Sequence, residues 1–192
     1  PGVQINAAAQ EMRVDFVNGG FNLNYIEFHA STPIEPPPVP GSVIRIEAES
    51  YSDSFDRTAG NSSNASGFTD DVDVAIATDI DGDFHVNIIQ KDEFLIYDNL
   101  NLQPGTYDLV VRVATAQERA KDRIKITIGT QEFIVNFGGT GSFRNWQDVV
   151  LPGVQINAAA QEMRVDFVNC GFNLNYIEFQ PTETATANRS TS

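Results

Sequence analysis

The sequence predicts an all-β fold, a jelly-roll β-sandwich of eight or nine short antiparallel strands. Three observations carry this expectation. Apolar and polar side chains alternate with a period of two over most of residues 43–179. Turn dipeptides separate the alternating stretches: Asp81-Gly82, Pro104-Gly105, Gly129-Thr130, Gly138-Gly139 and Pro152-Gly153. No apolar run approaches the ~18 residues that a membrane helix needs.

The elements follow in chain order. A first strand is expected over 43–49, then strands over 84–89 and 93–100. In the next, Tyr107, Leu109, Val111 and Val113 alternate with Asp108, Val110 and Arg112. Ile124, Ile126 and Ile128 alternate with Arg123, Lys125 and Thr127, and a strand over 132–137 follows. Further strands are expected over 145–151, over 163–167, where Met163, Val165 and Phe167 share a face, and over 172–179. One apolar face at period two is what a half-buried antiparallel strand requires. Only 114–121 and 158–162 have room for a helical turn. Many short strands with regular turns give a two-layer sandwich or jelly roll.

Composition narrows the function. The chain has 192 residues with 41% hydrophobic side chains, enough for one packed domain plus flanking sequence. Its formal charge is −14. Such a chain repels nucleic-acid phosphates and anionic lipid, so neither nucleic acid nor membrane is an expected partner. From Glu47 to Asp98 the only bases are Arg57 and Lys91, an asymmetry that suits divalent cations or a strongly solvated face. Cys170 is the single cysteine, so no intrachain disulfide can form.

Residues 1–28 and 152–179 are identical except for Gly19 against Cys170. A match of that length records a duplicated unit rather than convergent packing. The expected organisation is therefore a C-terminal fragment of a preceding identical repeat (1–28), a Pro-rich linker (29–42), one complete module (43–179) and a Thr-rich tail (180–192). Pro36, Pro37 and Pro38 favour an extended, semi-rigid spacer. Because 3–28 can fill the same sheet positions as 154–179, strand-swapped self-association through residues 3–28 is expected as a possible mode of assembly.

Four segments, in order, resemble a family 6 carbohydrate-binding module. They are Ile46-Glu47-Ala48-Glu49 with Tyr51; Asp81-Gly82-Asp83-Phe84 leading to Glu93-Phe94-Leu95-Ile96-Tyr97 and Pro104-Gly105-Thr106-Tyr107; Thr140-Gly141-Ser142-Phe143-Arg144-Asn145-Trp146; and Gly171 through Phe179. The resemblance implies a jelly roll with a structural calcium and a glycan site in the loops at one end. It also implies a secreted parent, usually a glycoside hydrolase or an adhesin.

Glu47 and Glu49 stand two apart on the expected first strand, so both side chains face one way. Two carboxylates that close call for a hard cation, and calcium takes six to eight oxygens at ~2.3–2.6 Å. The resemblance puts the calcium here and adds Asn175, where many relatives carry aspartate. The plain alternative is two exposed glutamates on an edge strand. Asp79-Ile80-Asp81-Gly82-Asp83 opens like a calcium loop, but the following residues read as strand, so an acidic hairpin turn is the better reading. Asp70, Asp71 and Asp73 are candidates to lend a carbonyl to the calcium.

A sugar site needs flat apolar faces for pyranose C–H groups and amides for hydroxyls. The resemblance assigns these roles to Asn173 and Phe143, with Ile88 standing where relatives carry an aromatic and Asn87 beside it. Phe143 is either a stacking ring or an ordinary buried loop residue. Trp146 reads as core, and Tyr51, Phe55 and Phe68 either supply the ring that Ile88 lacks or pin the loop over 50–73. Only His29 and His85 are present, and no catalytic motif of the G-x-S-x-G or H-E-x-x-H kind occurs. The expected function is non-catalytic carbohydrate binding that targets a secreted glycoside hydrolase to agarose-type marine galactan, xylan or β-glucan. The alternative is a calcium-stabilised structural repeat of a surface adhesin with a degenerate glycan site; a hydrolase ranks last.

Overall fold

The computed structural model describes residues 42–63, 65–79, 84–118 and 123–182. Within them the alternating stretches form eleven strands: β1 (Ile44–Glu47), β2 (Asp53–Phe55), β3 (Val74–Ile76), β4 (Phe84–Val86), β5 (Phe94–Tyr97), β6 (Gly105–Ala114), β7 (Ile124–Ile128), β8 (Gln131–Val135), β9 (Gln147–Ile156), β10 (Met163–Phe167) and β11 (Asn173–Pro181). One sheet has the order β3-β4-β11-β6-β9, with β1 also paired to β11; the other runs β2-β5-β10-β7-β8. All of these strand pairs are antiparallel. The first strand of the module therefore lies against the last, Ile44 opposite Phe179 and Glu47 opposite Tyr176.

The core sits between the sheets. Leu109, Val111, Val113, Ile177 and Phe179 face Leu95, Ile124, Ile126, Met163 and Val165, and each of them is at most 1% exposed. Burying each such side chain stabilises the fold by roughly 1.5–3 kcal/mol. Phe172 meets Phe137 and Phe167 edge-on, at 5.1 and 5.7 Å between ring centroids.

Several expectations need correction. The Pro152-Gly153 pair does not end a strand: β9 runs through it with a bulge against β6, Gly153 at φ +67° and its N–H donating to Asp108 Oδ1 at 2.9 Å. β9 ends its row in the sheet, and an edge tolerates a proline that a central strand would not. β11 slips register between Leu174 and Tyr176. Leu174 and Ile177 can thus both join the core while Tyr176 turns to the outer face, where period two alone would have put one of them outside. β2 and β3 were unforeseen, since three residues carry no measurable period. Residues 158–162 hold a bridge from Ala160 to Leu102 rather than a helical turn. Trp146 is buried as expected, at 8% exposed; it precedes β9 and packs against His85, outside the central cluster between the sheets. The Asp81-Gly82 turn, residues 119–121 of the helical candidate 114–121, the repeat fragment 1–28, the linker up to residue 41 and most of the tail lie outside the described residues.

Candidate functional site

Three loops meet beside β4 and β11: the one after β4, the one before β9 and the one before β11. They enclose a groove of about 460 Å³. Asn87, Ile88, Phe143 and Asn173, the four residues expected from the sequence, all line it, and Ile89, Phe172 and Cys170 extend its wall. None of the lining residues is charged. Phe143 is 43% and Ile88 50% exposed, so two apolar faces stay uncovered at the rim. Phe143 is therefore not a buried loop residue.

Each of these groups is held from behind. The Asn173 amide is nearly buried and its Nδ2 donates to the Phe143 carbonyl at 2.9 Å. That contact fixes the amide and turns Oδ1 away from it, so Asn173 offers an acceptor. Asn87 is the converse: its Oδ1 accepts from Ser63 Oγ at 2.7 Å, which leaves Nδ2 as a donor. The groove therefore presents one amide donor and one amide acceptor between two apolar faces, which matches vicinal hydroxyls on a ring with C–H faces.

The loop bearing Phe143 is locked around Thr140. Its N–H donates to the Thr115 carbonyl (2.9 Å), its hydroxyl accepts from the Thr115 N–H (2.9 Å), and Asn145 Nδ2 donates to its carbonyl. Gly141 supplies the left-handed turn at φ +93°. Ile88 also stands in the left-handed region, at φ +50°. For a β-branched residue this conformation costs roughly 1–3 kcal/mol. Its neighbours enforce it: Asn87 N–H donates to the Asp73 carbonyl (2.9 Å), Gly171 N–H to the Ile89 carbonyl (3.2 Å) and Gln90 N–H to Glu93 Oε2 (2.7 Å).

The acidic loop over 50–73 is the scaffold behind Asn87. Asp73 is 1% exposed and its Oδ1 accepts the Ser62 N–H at 2.6 Å; Asp71 accepts from Gly60 and Asp70 from the Tyr51 hydroxyl. Glu93, 3% exposed, takes the N–H groups of Arg57 and Gln90. Burial raises its pKa, against those two hydrogen bonds that lower it. Asp71, Asp73 and Glu93 thus cap backbone donors, and Asp70 takes the Tyr51 hydroxyl. Tyr51 and Phe68 pin the same loop, Phe68 edge-on to Phe84 at 5.0 Å. Phe55 stacks on Phe94 (5.9 Å) on the other sheet, with Arg164 3.7 Å above the Phe94 ring. None of the three lines the groove, so none replaces the ring missing at Ile88.

The backbone of the residues expected to hold calcium comes together where β1 abuts β11. The strand ends at Glu47, and Ala48-Glu49 form a turn closed by the Ser50 N–H on the Glu47 carbonyl at 3.0 Å, so Glu47 and Glu49 do not share a strand face. The Ala48 N–H donates to the Asn175 carbonyl at 2.8 Å, which sets the backbone of all three residues side by side. Asn175 is 2% exposed and its Nδ2 donates to Asp79 Oδ2 at 3.0 Å. Asp79 is in turn clamped by both arms of the Arg112 guanidinium at 2.7 Å. Two carboxylates and an amide oxygen are the hard donors calcium takes, so the set fits in chemistry. It is incomplete in number: among the described residues no three Asp, Glu, His or Cys side chains gather as a metal cluster.

Sequence reasoning missed Ile76 and His85, on strands too short for a period to reveal which side chains face outward, and Thr78, in the loop after β3; all three lie next to the groove. Cys170 and Arg144 carried a weak signal, the first as the one difference between the two copies and the second as the neighbour of Phe143.

The fold has known counterparts. The C-terminal family 6 module of a marine laminarinase from Zobellia galactanivorans superposes with TM-score 0.56 at 23% identity, covering 72% of this chain and 99% of that one. The family 6 module of Cellvibrio mixtus lichenase 5A in complex with cellotriose gives 0.58 at 21%, covering 74% and 100%. A β-1,3-glucan-binding family 6 module from Bacillus halodurans gives 0.56 at 21%, covering 73% and 96%. At such identities the likeness establishes the β-sandwich fold, and the expected resemblance to family 6 holds at that level. No curated protein matches the chain. The family model that matches is described as carbohydrate binding module (family 35) and covers residues 69–179, more than half of the sequence. The chain belongs to this family of carbohydrate-binding modules, and it is a non-catalytic binding module.

Proposed function

We propose that the groove between Ile88 and Phe143 is the glycan-binding site and that the module anchors a secreted glycoside hydrolase to a polysaccharide. The observation that carries this is the convergence of Asn87, Ile88, Phe143 and Asn173 on one uncharged groove, with one amide donor and one amide acceptor left for hydroxyls. β-Glucan, agarose-type galactan and xylan are the polymers to test. The similar modules solved with cellotriose and named for β-1,3-glucan binding support the first of these. Affinity electrophoresis and calorimetry against all three measure it. Retardation by at least one polymer, reduced in Phe143→Ala and Asn173→Ala, is the expected result; no interaction with any of them overturns the proposal.

Two observations favour a second reading, a structural repeat of an adhesin with a degenerate site. Ile88 occupies the rim where a stacking ring is expected, and the repeat is nearly perfect. Under that reading the module keeps its stability and binds no glycan.

Calcium belongs to the same proposal. Glu47, Glu49 and the Asn175 amide oxygen would hold it, with backbone carbonyls or water completing the shell. It would tie the start of the module to its end. Strand exchange through residues 3–28 is supported by the sequence identity and by the edge of β1, which borders a groove of about 680 Å³. Deletion of residues 1–28 with no change in oligomeric state would exclude it.

A further inference from the structure

An edge strand leaves one row of backbone groups unpaired, and proteins guard such rows with short strands, prolines, bulges or charge. Here β2 and β3 are three residues long, β9 carries Pro152 and a bulge, and β1 presents Arg45. β8 is guarded least. It ends the second sheet beyond β7 and runs Gln131-Glu132-Phe133-Ile134-Val135, with no glycine, proline or register shift. Aromatic and β-branched residues of this kind favour the extended chain. Its one charge, on Glu132, is met by Lys125 Nζ at 3.1 Å. Ile134 is 40% exposed, and Phe133 is half-buried at the margin of the core.

The turn before β8 fixes which groups are free. Gly129, at φ +59°, and Thr130 form a two-residue turn, so Ile128 and Gln131 exchange both backbone hydrogen bonds. Alternation then turns the N–H and C=O of Phe133 and Val135 toward β7 and those of Glu132 and Ile134 outward. Among the described residues no backbone group bonds to the outward ones. A second β8 laid antiparallel along this edge satisfies them symmetrically. With Phe133 opposite its twin, Glu132 of each copy faces Ile134 of the other, and every outward N–H meets an outward C=O. Pairing centred on Glu132 would set carboxylate against carboxylate, and pairing centred on Ile134 would put Glu132 opposite Asn136, beyond the end of the strand. The Phe133 rings would meet at a non-hydrogen-bonded pair, where Cα atoms approach to about 4.5 Å and side chains lie closest.

We propose that the β8 edge is a self-association surface, through which two copies of this chain join their second sheets into one continuous antiparallel sheet in the register centred on Phe133. The proposal needs nothing of the glycan reading, and it differs from strand exchange through residues 3–28, which leaves β8 unpaired. The edge is short, so the association is weak and concentration-dependent. The formal charge of −14 on each copy opposes it, so added salt strengthens it by screening.

Sedimentation equilibrium of the full chain tests this, with Cys170→Ser removing the only thiol. The average mass is expected to rise toward that of a dimer between about 10 μM and about 1 mM, and to rise further at high salt. The Ile134 N–H points away from β7, so Ile134→Pro breaks no bond within the sheet. It is expected to weaken association about ten-fold or more while the chain stays folded by circular dichroism. Ile134→Glu is an exposed substitution that keeps the test valid if proline disturbs the strand. It sets a carboxylate against Glu132 of the other copy and is expected to weaken association as well. A mixture of Glu132→Cys and Ile134→Cys chains reads the register: oxidation with copper-phenanthroline is expected to link unlike chains in preference to like ones. A chain that stays monomeric across the range, an association constant unchanged in the folded Ile134→Pro or Ile134→Glu variant, or disulfides formed mainly between like chains overturns the proposal.

Discussion

Replacing Ile88 with tryptophan tests the groove by gain rather than loss. Ile88 is half exposed at the rim across from Phe143 and makes no ring contact, so a larger side chain meets solvent rather than core. A ring there adds a second flat face to the one that Phe143 provides. An aromatic stacking pair contributes about 0.5–1.5 kcal/mol beyond area burial, so affinity should rise roughly two- to twelve-fold. Stability should hold or increase, because tryptophan is not β-branched and carries less strain at φ +50° than isoleucine does. The assay is calorimetric titration with whichever hexasaccharide the wild type binds, alongside a thermal melt. A variant that folds as stably as the parent and binds that hexasaccharide no more tightly would refute the placement of the sugar against this rim.

Other expectations follow from the same geometry. His85 has its pKa depressed from 6.5 to about 4 by burial, so the fold favours its neutral form. The stability this contributes is complete above pH 6.5 and is lost as pH falls through about 4. The difference amounts to at most about 3 kcal/mol, and His85→Gln should flatten that part of the pH–stability curve measured by urea unfolding. Gly171 stands at φ +79°, and a Cβ there would meet the movable end of Gln117. Gly171→Ala should therefore cost about 1–2 kcal/mol through the backbone conformation, read as a lowered melting temperature. Asp73→Ala removes the buried acceptor of the Ser62 N–H, so it should destabilise by about 1–3 kcal/mol and weaken sugar binding through Asn87. Chelation with EDTA should lower the melting temperature of the wild type but not of Glu47→Ala/Glu49→Ala; an equal effect on both would exclude calcium at that junction.

Much of this fold was legible because most of its strands bury one face. β6, β7 and β10 announce themselves by alternation, and their apolar positions are the buried ones. Where pairing departs from period two, the pattern misleads. At Pro152-Gly153 a turn signal turns out to be a bulge in an edge strand, and at Asn175 a slipped register changes which residues reach the core. β2 and β3 are fixed by their partners across the sheets rather than by their own three residues. The groove was legible through Asn173 and Phe143, whose segments have recognisable neighbours. The orientation of the amides was not, since it depends on Ser63 and the Phe143 carbonyl, both remote in sequence. The pair of glutamates misled in geometry, because the chain turns at Ala48 before the second one is reached.

Cys170 offers the most direct test of the site. It is exposed, lines the groove and is the only thiol in the chain. Its rate of reaction with a small disulfide reagent should fall several-fold when an oligosaccharide that binds by calorimetry is present at saturation. An unchanged rate with the oligosaccharide bound would put the ligand elsewhere on the molecule and contradict the account.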